Sequence, residues 1–120
     1  MAGGSPINTT FTFSSLGLKC GFIGCVGNDE DGYDFINALR GNDIDTYISI
    51  KQGDSCVCYT FVTPDGQRSF GINFGVTKQL QEYEILESLI AESNFLHFSG
   101  LFYSSSHFFF SAILLLLFFL

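Results

Sequence analysis

Apolar residues fall in short blocks whose period switches along the chain. "KCGFIGCVG" (19–27) is a nearly continuous apolar run punctuated by glycine, which predicts a buried strand. In "NDEDGYDFINALRG" (28–41), Gly32, Phe35, Ile36 and Leu39 recur at i, i+3, i+4 and i+7, one face of a helix. Asn28 or Asp29 is placed to cap that helix, acids in its first turn favour the macrodipole, and Gly41 stops it. "NDIDTYISIKQG" (42–53) reads as a turn and a strand. In "CVCYTFVTPDGQRSFGINFG" (56–75), two apolar-rich runs flank Pro64-Asp65-Gly66, a hairpin turn. "TKQLQEYEILESLIAES" (77–93) predicts an amphipathic helix with Tyr83, Leu86, Leu89 and Ile90 inward, and "NFLHFSG" (94–100) a short buried strand. His97 in that strand reads as structural, since no nucleophile is placed for it to activate. Alternating helices and strands imply a largely parallel α/β sheet, here interrupted by the hairpin, and there is no internal repeat.

The N-terminal segment "GGSPINTTFTFSSLG" (3–17) predicts a helix from about Pro6 to Leu16. Ser5 suits the N-cap, Pro6 the first helical position and Gly17 a left-handed C-cap, although the Thr-rich interior is a poor helix former. Asn8 falls in the first turn, and helical side chains lean toward the N-terminus, here toward Gly3 and Gly4. Bare backbone, free N–H donors and one carboxamide suit a hydroxyl-rich or anionic ligand. The competing reading is a simple turn before a helix.

Charge narrows the function classes. The chain has 120 residues, enough for one domain, and a formal net charge of −7. Its five cations, Lys19, Arg40, Lys51, Arg68 and Lys78, are dispersed, which argues against a nucleic-acid surface. Cys20, Cys25, Cys56 and Cys58 match no common zinc spacing and read as buried reduced thiols. The acids at 29, 30, 31 and 34 lack the register of a calcium loop, so no metal site is expected. The glycines at 21, 24 and 27 are not the dinucleotide fingerprint. "MAGGSPINTTF" has no basic start followed by an apolar run, so a cytoplasmic location is expected.

Beyond Tyr103 the composition changes. "SSSHFFFSAILLLLFFL" (104–120) ends in a run too short to cross a bilayer as a helix, with no flanking cation. Three readings stand: insertion into a membrane, packing on the exposed sheet, or sequence foreign to the domain.

Taken together, Gly3-Gly4, Asn8, a small residue at Thr10, Gly17, Gly27, "GNDEDG" with Asp29 and Gly32, "NDIDT" and "TPDGQRSF" form an ordered string. Over about residues 2 to 103 the sequence resembles the N-terminal half of the PfkB family of carbohydrate and nucleoside kinases, the ribokinase-like enzymes. The resemblance implies a partial ribokinase-like three-layer α/β sandwich with a small β-hairpin lid. It implies a substrate-binding part over 1–103, lid strands at about 54–76, and an apolar tail at 104–120 outside the family pattern. The family reaction moves the γ-phosphoryl group of ATP, with Mg²⁺, to a sugar or nucleoside hydroxyl. By resemblance, Gly3, Gly4 and Asn8 contact substrate hydroxyls, and Arg68 on the lid either reaches the ligand or lies in solvent. Lid strands of the family also form dimer contacts.

The departures are specific. The family begins with a strand before the Gly-Gly pair, and this sequence starts after it. The family's catalytic Asp and anion hole lie in a Gly-Ala-Gly-Asp type motif, absent here, and Gly53-Asp54 is no counterpart. A Walker A loop is also absent. The expectation is a truncated, inactive kinase with no catalytic residue and no ATP or Mg²⁺ site of its own. The alternatives are a non-catalytic partner of an intact kinase through the lid strands, or a fragment held at a membrane by its tail.

Overall fold

A computed structural model describes residues 2–98 throughout and the backbone of 101–104, 107–110 and 113–115. Helix α1 (Ser5–Ser15) leads into β1 (Cys20–Gly27), helix α2 (Glu30–Arg40) and β2 (Ile44–Lys51). Strands β3 (Val57–Val62) and β4 (Arg68–Asn73) form the hairpin. Helix α3 (Glu87–Ala91), β5 (His97–Phe98), β6 (Leu101–Ser104), β7 (His107–Phe110) and β8 (Ile113–Leu115) follow.

The main sheet has the order β2-β1-β8-β5. β1 and β2 are parallel over their full length, from Cys20 opposite Ile44 to Gly27 opposite Lys51. That pairing requires a crossover, and α2 supplies it. Every residue of β1 is buried, as expected for a strand covered on both faces. One face packs Cys20 and Phe22 with Ile7 of α1, Leu39 of α2 and Ile44, with Phe11, Phe35 and Ile48 at the margin. The opposite face presents Ile23 to Tyr47, Leu80, Ile85, Leu89, Ile90 and Leu96. The result is three layers: two helices, the sheet, and the 75–96 segment.

Two predicted helices differ from expectation. α1 begins one residue early, with Gly4 rather than Ser5 at the N-cap and no side-chain cap. Its threonines are accommodated because Thr9, Thr10 and Thr12 each donate to the carbonyl four residues back. The helix expected over 77–93 is broken into 3-10 turns at Gly75–Gln79 and Glu82–Glu84, followed by the short α3. Leu80, Ile85 and Leu86 have extended ψ angles of 125°, 110° and 103°. Leu80, Ile85, Leu89, Ile90 and Leu96 are spaced too unevenly for one helical stripe, and breaking the chain lets them all reach the face around Ile23. Gln81 and Glu84 form a reciprocal capping box at the restart, while Tyr83 and Leu86 point out.

The strand expected over 94–100 is reduced to His97–Phe98, with Phe95 and Phe98 exposed, and its last two residues, 99 and 100, lie outside the described residues. Cys20 and Cys25 are buried as expected, but Cys56 and Cys58 are exposed because no layer among the described residues covers the hairpin. Of the apolar tail, Ile113–Leu115 is a strand within the sheet, paired antiparallel with both β1 and β5. Positions 105–106, 111–112 and 116–120 of that tail lie outside the described residues. No helix among the described residues is long and apolar enough to cross a membrane.

Candidate functional site

Residues 16–19 are the whole connection between α1 and β1, and the two elements pack together. α1 therefore runs back along β1, and its N-terminal end is directed toward the Gly27 end of the strand. Gly3, Gly4 and Asn8 are all exposed there. Gly4 has φ 105°, a left-handed conformation that side chains disfavour, and the space beside it is open except for Pro6 Cδ at 3.9 Å from a notional Cβ. The Asn8 N–H donates to the Gly4 carbonyl at 3.1 Å, which sets both residues on one turn. No side chain caps the helix, and of its first turn Ser5 is exposed, Pro6 has no N–H and Ile7 is buried.

Arg68 opens β4, paired opposite Val62 beside the turn, and is exposed. It belongs to the separate two-stranded sheet. The fold thus brings Gly4 and Asn8 together and leaves Arg68 on the hairpin. The turn closes by bonds from the Thr63 hydroxyl to Asp65 and from the Thr63 N–H to the Gln67 carbonyl at 3.0 Å. The Thr63 hydroxyl, followed by the Gln67 N–H, holds the Asp65 carboxyl below its ordinary value.

Where the end of β1, the start of α2 and the base of the hairpin meet lies a denser cluster that the sequence reveals only in part. Asp29 caps α2 as expected, its Oδ1 accepting the Gly32 N–H at 2.9 Å. The same oxygen accepts the Ser55 hydroxyl at 2.6 Å, and Oδ2 accepts the Ser55 N–H at 2.7 Å. The Ser55 oxygen in turn accepts the Gly27 N–H at 2.9 Å. The Ser55 hydroxyl first, then its N–H, holds the Asp29 carboxyl below the usual range. A Cβ at Gly27 would stand 2.1 Å from the Gly53 carbonyl oxygen, so only glycine permits this approach. Ser55 carries no local sequence signal: its partners are 26 and 28 residues away.

Burial pushes the Cys20 and Cys25 thiols up, which keeps them neutral and poorly nucleophilic. On the sheet face away from α1, Lys51 pairs with Glu84 at 2.5 Å. Desolvation raises the Glu84 carboxyl, but bonds from Lys51, the Gln81 N–H and Ser49 outweigh it and leave it lowered. Among the described residues, no three His, Cys, Asp or Glu side chains converge as metal ligands do.

The family profile described as pfkB family carbohydrate kinase matches residues 1–112. Probable fructokinase-5 of Arabidopsis thaliana is 30% identical over 103 residues, covering 82% of this chain and 32% of the relative. Aminoimidazole riboside kinase of Salmonella typhimurium is 36% identical over 70 residues, covering 57% of this chain and 22% of the relative. Among solved structures, an apo putative Ribokinase II from E. coli superposes with a TM-score of 0.67 at 26% identity, covering 75% of this chain and 30% of that one. The adenosine kinase from Schistosoma mansoni in complex with adenosine superposes with a TM-score of 0.63 at 22% identity, covering 70% of this chain and 25% of that one, and so speaks to fold alone. The chain spans about a third of the length of the curated relatives it matches first, 32% and 31%. The profile match, the parallel β1–α2–β2 unit and the appended hairpin agree: the chain belongs to the pfkB family of carbohydrate kinases.

Proposed function

We propose that this chain carries the hydroxyl-contacting part of a sugar or nucleoside kinase, with β3–β4 as its lid, and transfers no phosphate by itself. The observation that carries the reading is the Gly4–Asn8 turn. A left-handed glycine leaves the backbone open, no side chain caps the helix tip, and an exposed carboxamide one turn on supplies a donor and an acceptor. A pair of neighbouring hydroxyls needs that combination. The names of the relatives, fructokinase and aminoimidazole riboside kinase, lie in the same substrate class. Residues 1–103 form the substrate-binding part in this reading, with lid strands within 54–76 and Arg68 on the lid facing solvent or ligand. A cytoplasmic setting is consistent with it.

ATP and Mg²⁺ accompany a putative Ribokinase II from E. coli that superposes on this chain with a TM-score of 0.61 at 28% identity. In such reactions the nucleotide supplies the phosphoryl group and the cation offsets its charge. In this reading the chain supplies no site for that pair, since the sequence has no Gly-Ala-Gly-Asp stretch. No transfer step is therefore assigned to this chain.

The test is a titration of ¹⁵N-labelled chain with fructose, ribose and adenosine. Amide shifts at Gly3, Gly4 and Asn8, abolished by Asn8→Ala, are expected with one of them. Their absence with all three overturns the binding reading, and turnover with ATP overturns the inactivity. A second reading is favoured by the exposure of Tyr59, Phe61 and Phe70: the hairpin pairs with a second copy or an intact relative. A monomeric mass in light scattering and no co-purifying kinase would remove it.

A further inference from the structure

Both legs of the hairpin leave the body through one small cluster. Gly53, Asp54 and Ser55 lead into β3, and Gly75 and Val76 follow β4. The Gly53 N–H donates to Asn28 Oδ1 at 3.0 Å, and Ser55 is held by Asp29 through two bonds of 2.6 and 2.7 Å. The second leg is tied to the first by the Val76 N–H, which donates to the Asp54 carbonyl at 2.9 Å. The Cys25 thiol of β1 donates to the Val76 carbonyl at 3.5 Å. Gly53 and Gly75, one on each leg, have φ of 127° and 51°.

Capping α2 requires only the Asp29 bond to the Gly32 N–H. The other two Asp29 bonds are surplus to that task and reach across to the hairpin root. They are charge-assisted, and they continue through the Ser55 oxygen to the Gly27 N–H, so β1, α2 and the hairpin meet at one carboxylate. Beyond the root, β3 and β4 are almost wholly exposed and share no apolar cluster with the body among the described residues. Among the described residues, therefore, the hairpin is joined to the body at its root rather than by packing along its strands.

We infer that Asp29 and Ser55 form a fixed pivot that sets the orientation of the β3–β4 hairpin, which makes Asp29 a positioning residue for the lid as well as a helix cap. The pivot is a property of the fold, and only its role in aligning a lid rests on the kinase reading. Ser55→Ala tests the hydroxyl part of the tether alone, because it removes the bonds to Asp29 Oδ1 and from the Gly27 N–H and keeps both the Ser55 N–H bond to Asp29 Oδ2 and the Asp29–Gly32 cap. Asp29→Asn weakens tether and cap together, and Ser55→Thr keeps the hydroxyl.

The experiment measures amide residual dipolar couplings of the 120-residue chain in a weakly aligning medium, without sugar. The native hairpin and the β1–α2–β2 body are expected to share one alignment. In Asp29→Asn the couplings of Val57–Val62 and Arg68–Asn73 should fall to about half or less as the hairpin swings, and in Ser55→Ala, which keeps the Ser55 N–H bond, they should fall by less, while those of Ile23, Ile48 and Leu39 hold in both. Ser55→Thr should keep the native pattern. Unchanged hairpin couplings in both tether variants overturn the pivot, and so does an equal collapse of hairpin and body, which marks general loss of the fold. Because no ligand is present, failure of sugar binding leaves this result standing.

Discussion

β1 and β3 are similarly apolar in sequence, "CGFIGCVG" and "VCYTFV", yet their surroundings are opposite. Ile23 at the centre of β1 is 0% exposed, whereas Phe61 of β3 is 62% exposed. β1 is sandwiched between two helices and the 75–96 segment. Among the described residues, β3 has only β4 beside it and no layer on either face. A two-stranded ribbon alone is marginal in water, so the hairpin depends on its root and turn more than on its own apolar residues. Burial here follows connectivity: a short crossover folds α2 back over β1 and β2, while no described segment folds over the hairpin.

The sharpest way to break this contrast is to truncate one side chain in each region. Leu39→Ala removes a fully buried side chain from the α1–sheet–α2 core and should cost about 2–5 kcal/mol. Phe61→Ala removes a larger side chain already in water and should change stability by no more than about 0.5 kcal/mol. Urea midpoints followed by far-UV circular dichroism compare the two. A Phe61 effect as large as that of Leu39 would mean that something covers the hairpin in solution, which is what pairing of copies requires.

A glycine in each region sharpens the comparison at an intermediate size. Gly27→Ala drives a methyl into the Gly53 carbonyl and should cost about 1–3 kcal/mol, with the hairpin root displaced from β1. Gly66→Ala meets nothing within 4 Å, and its cost comes only from φ 82°, about 1 kcal/mol. The Gly27 variant should lower the global urea midpoint. The Gly66 variant should shift only hairpin resonances, because the turn is not coupled to the core. Equal global effects would show that hairpin and body unfold as one unit.

What is legible in the sequence divides along the same line. β1, α2, β2 and the Thr63–Gln67 turn are readable because their determinants are local: an apolar run, an i, i+3, i+4, i+7 stripe with Asp29 before it, and a Pro-Asp-Gly turn. The helix expected over 77–93 does not form as one piece because Leu80, Ile85, Leu89 and Leu96 answer to one tertiary surface around Ile23, which overrides helical propensity. Of the candidate site, the Gly4–Asn8 turn is visible as a glycine pair before a capped helix, though the cap is Gly4 itself. Asp29 is visible as a cap but not as a tether, since Ser55 lies 26 residues away in a stretch with no periodicity. The strand role of Ile113–Leu115 is equally hidden, because an apolar tail does not state which edge it will meet.

The smallest expected difference lies in acid. Asp29 in the root and Asp65 in the turn are both held below the ordinary carboxyl value, each chiefly by a hydroxyl, from Ser55 and Thr63 respectively. A carboxyl whose folded pKa lies below its unfolded value of about 3.9 contributes its full stability above that value and loses it as pH falls through the folded one. Both therefore weaken below about pH 4. The consequences differ because Asp29 joins β1, α2 and the hairpin, whereas Asp65 closes an exposed turn. Asp29→Asn should flatten the acid limb of global stability, measured as urea midpoints between about pH 3 and pH 7, with Glu84 keeping part of the slope. Asp65→Asn should leave that limb unchanged and alter only the pH dependence of Thr63 and Gln67 amide shifts. If the two substitutions flattened the limb equally, the turn would be as strongly coupled to the core as the root, and the division between a packed body and a hairpin held at its base would fail.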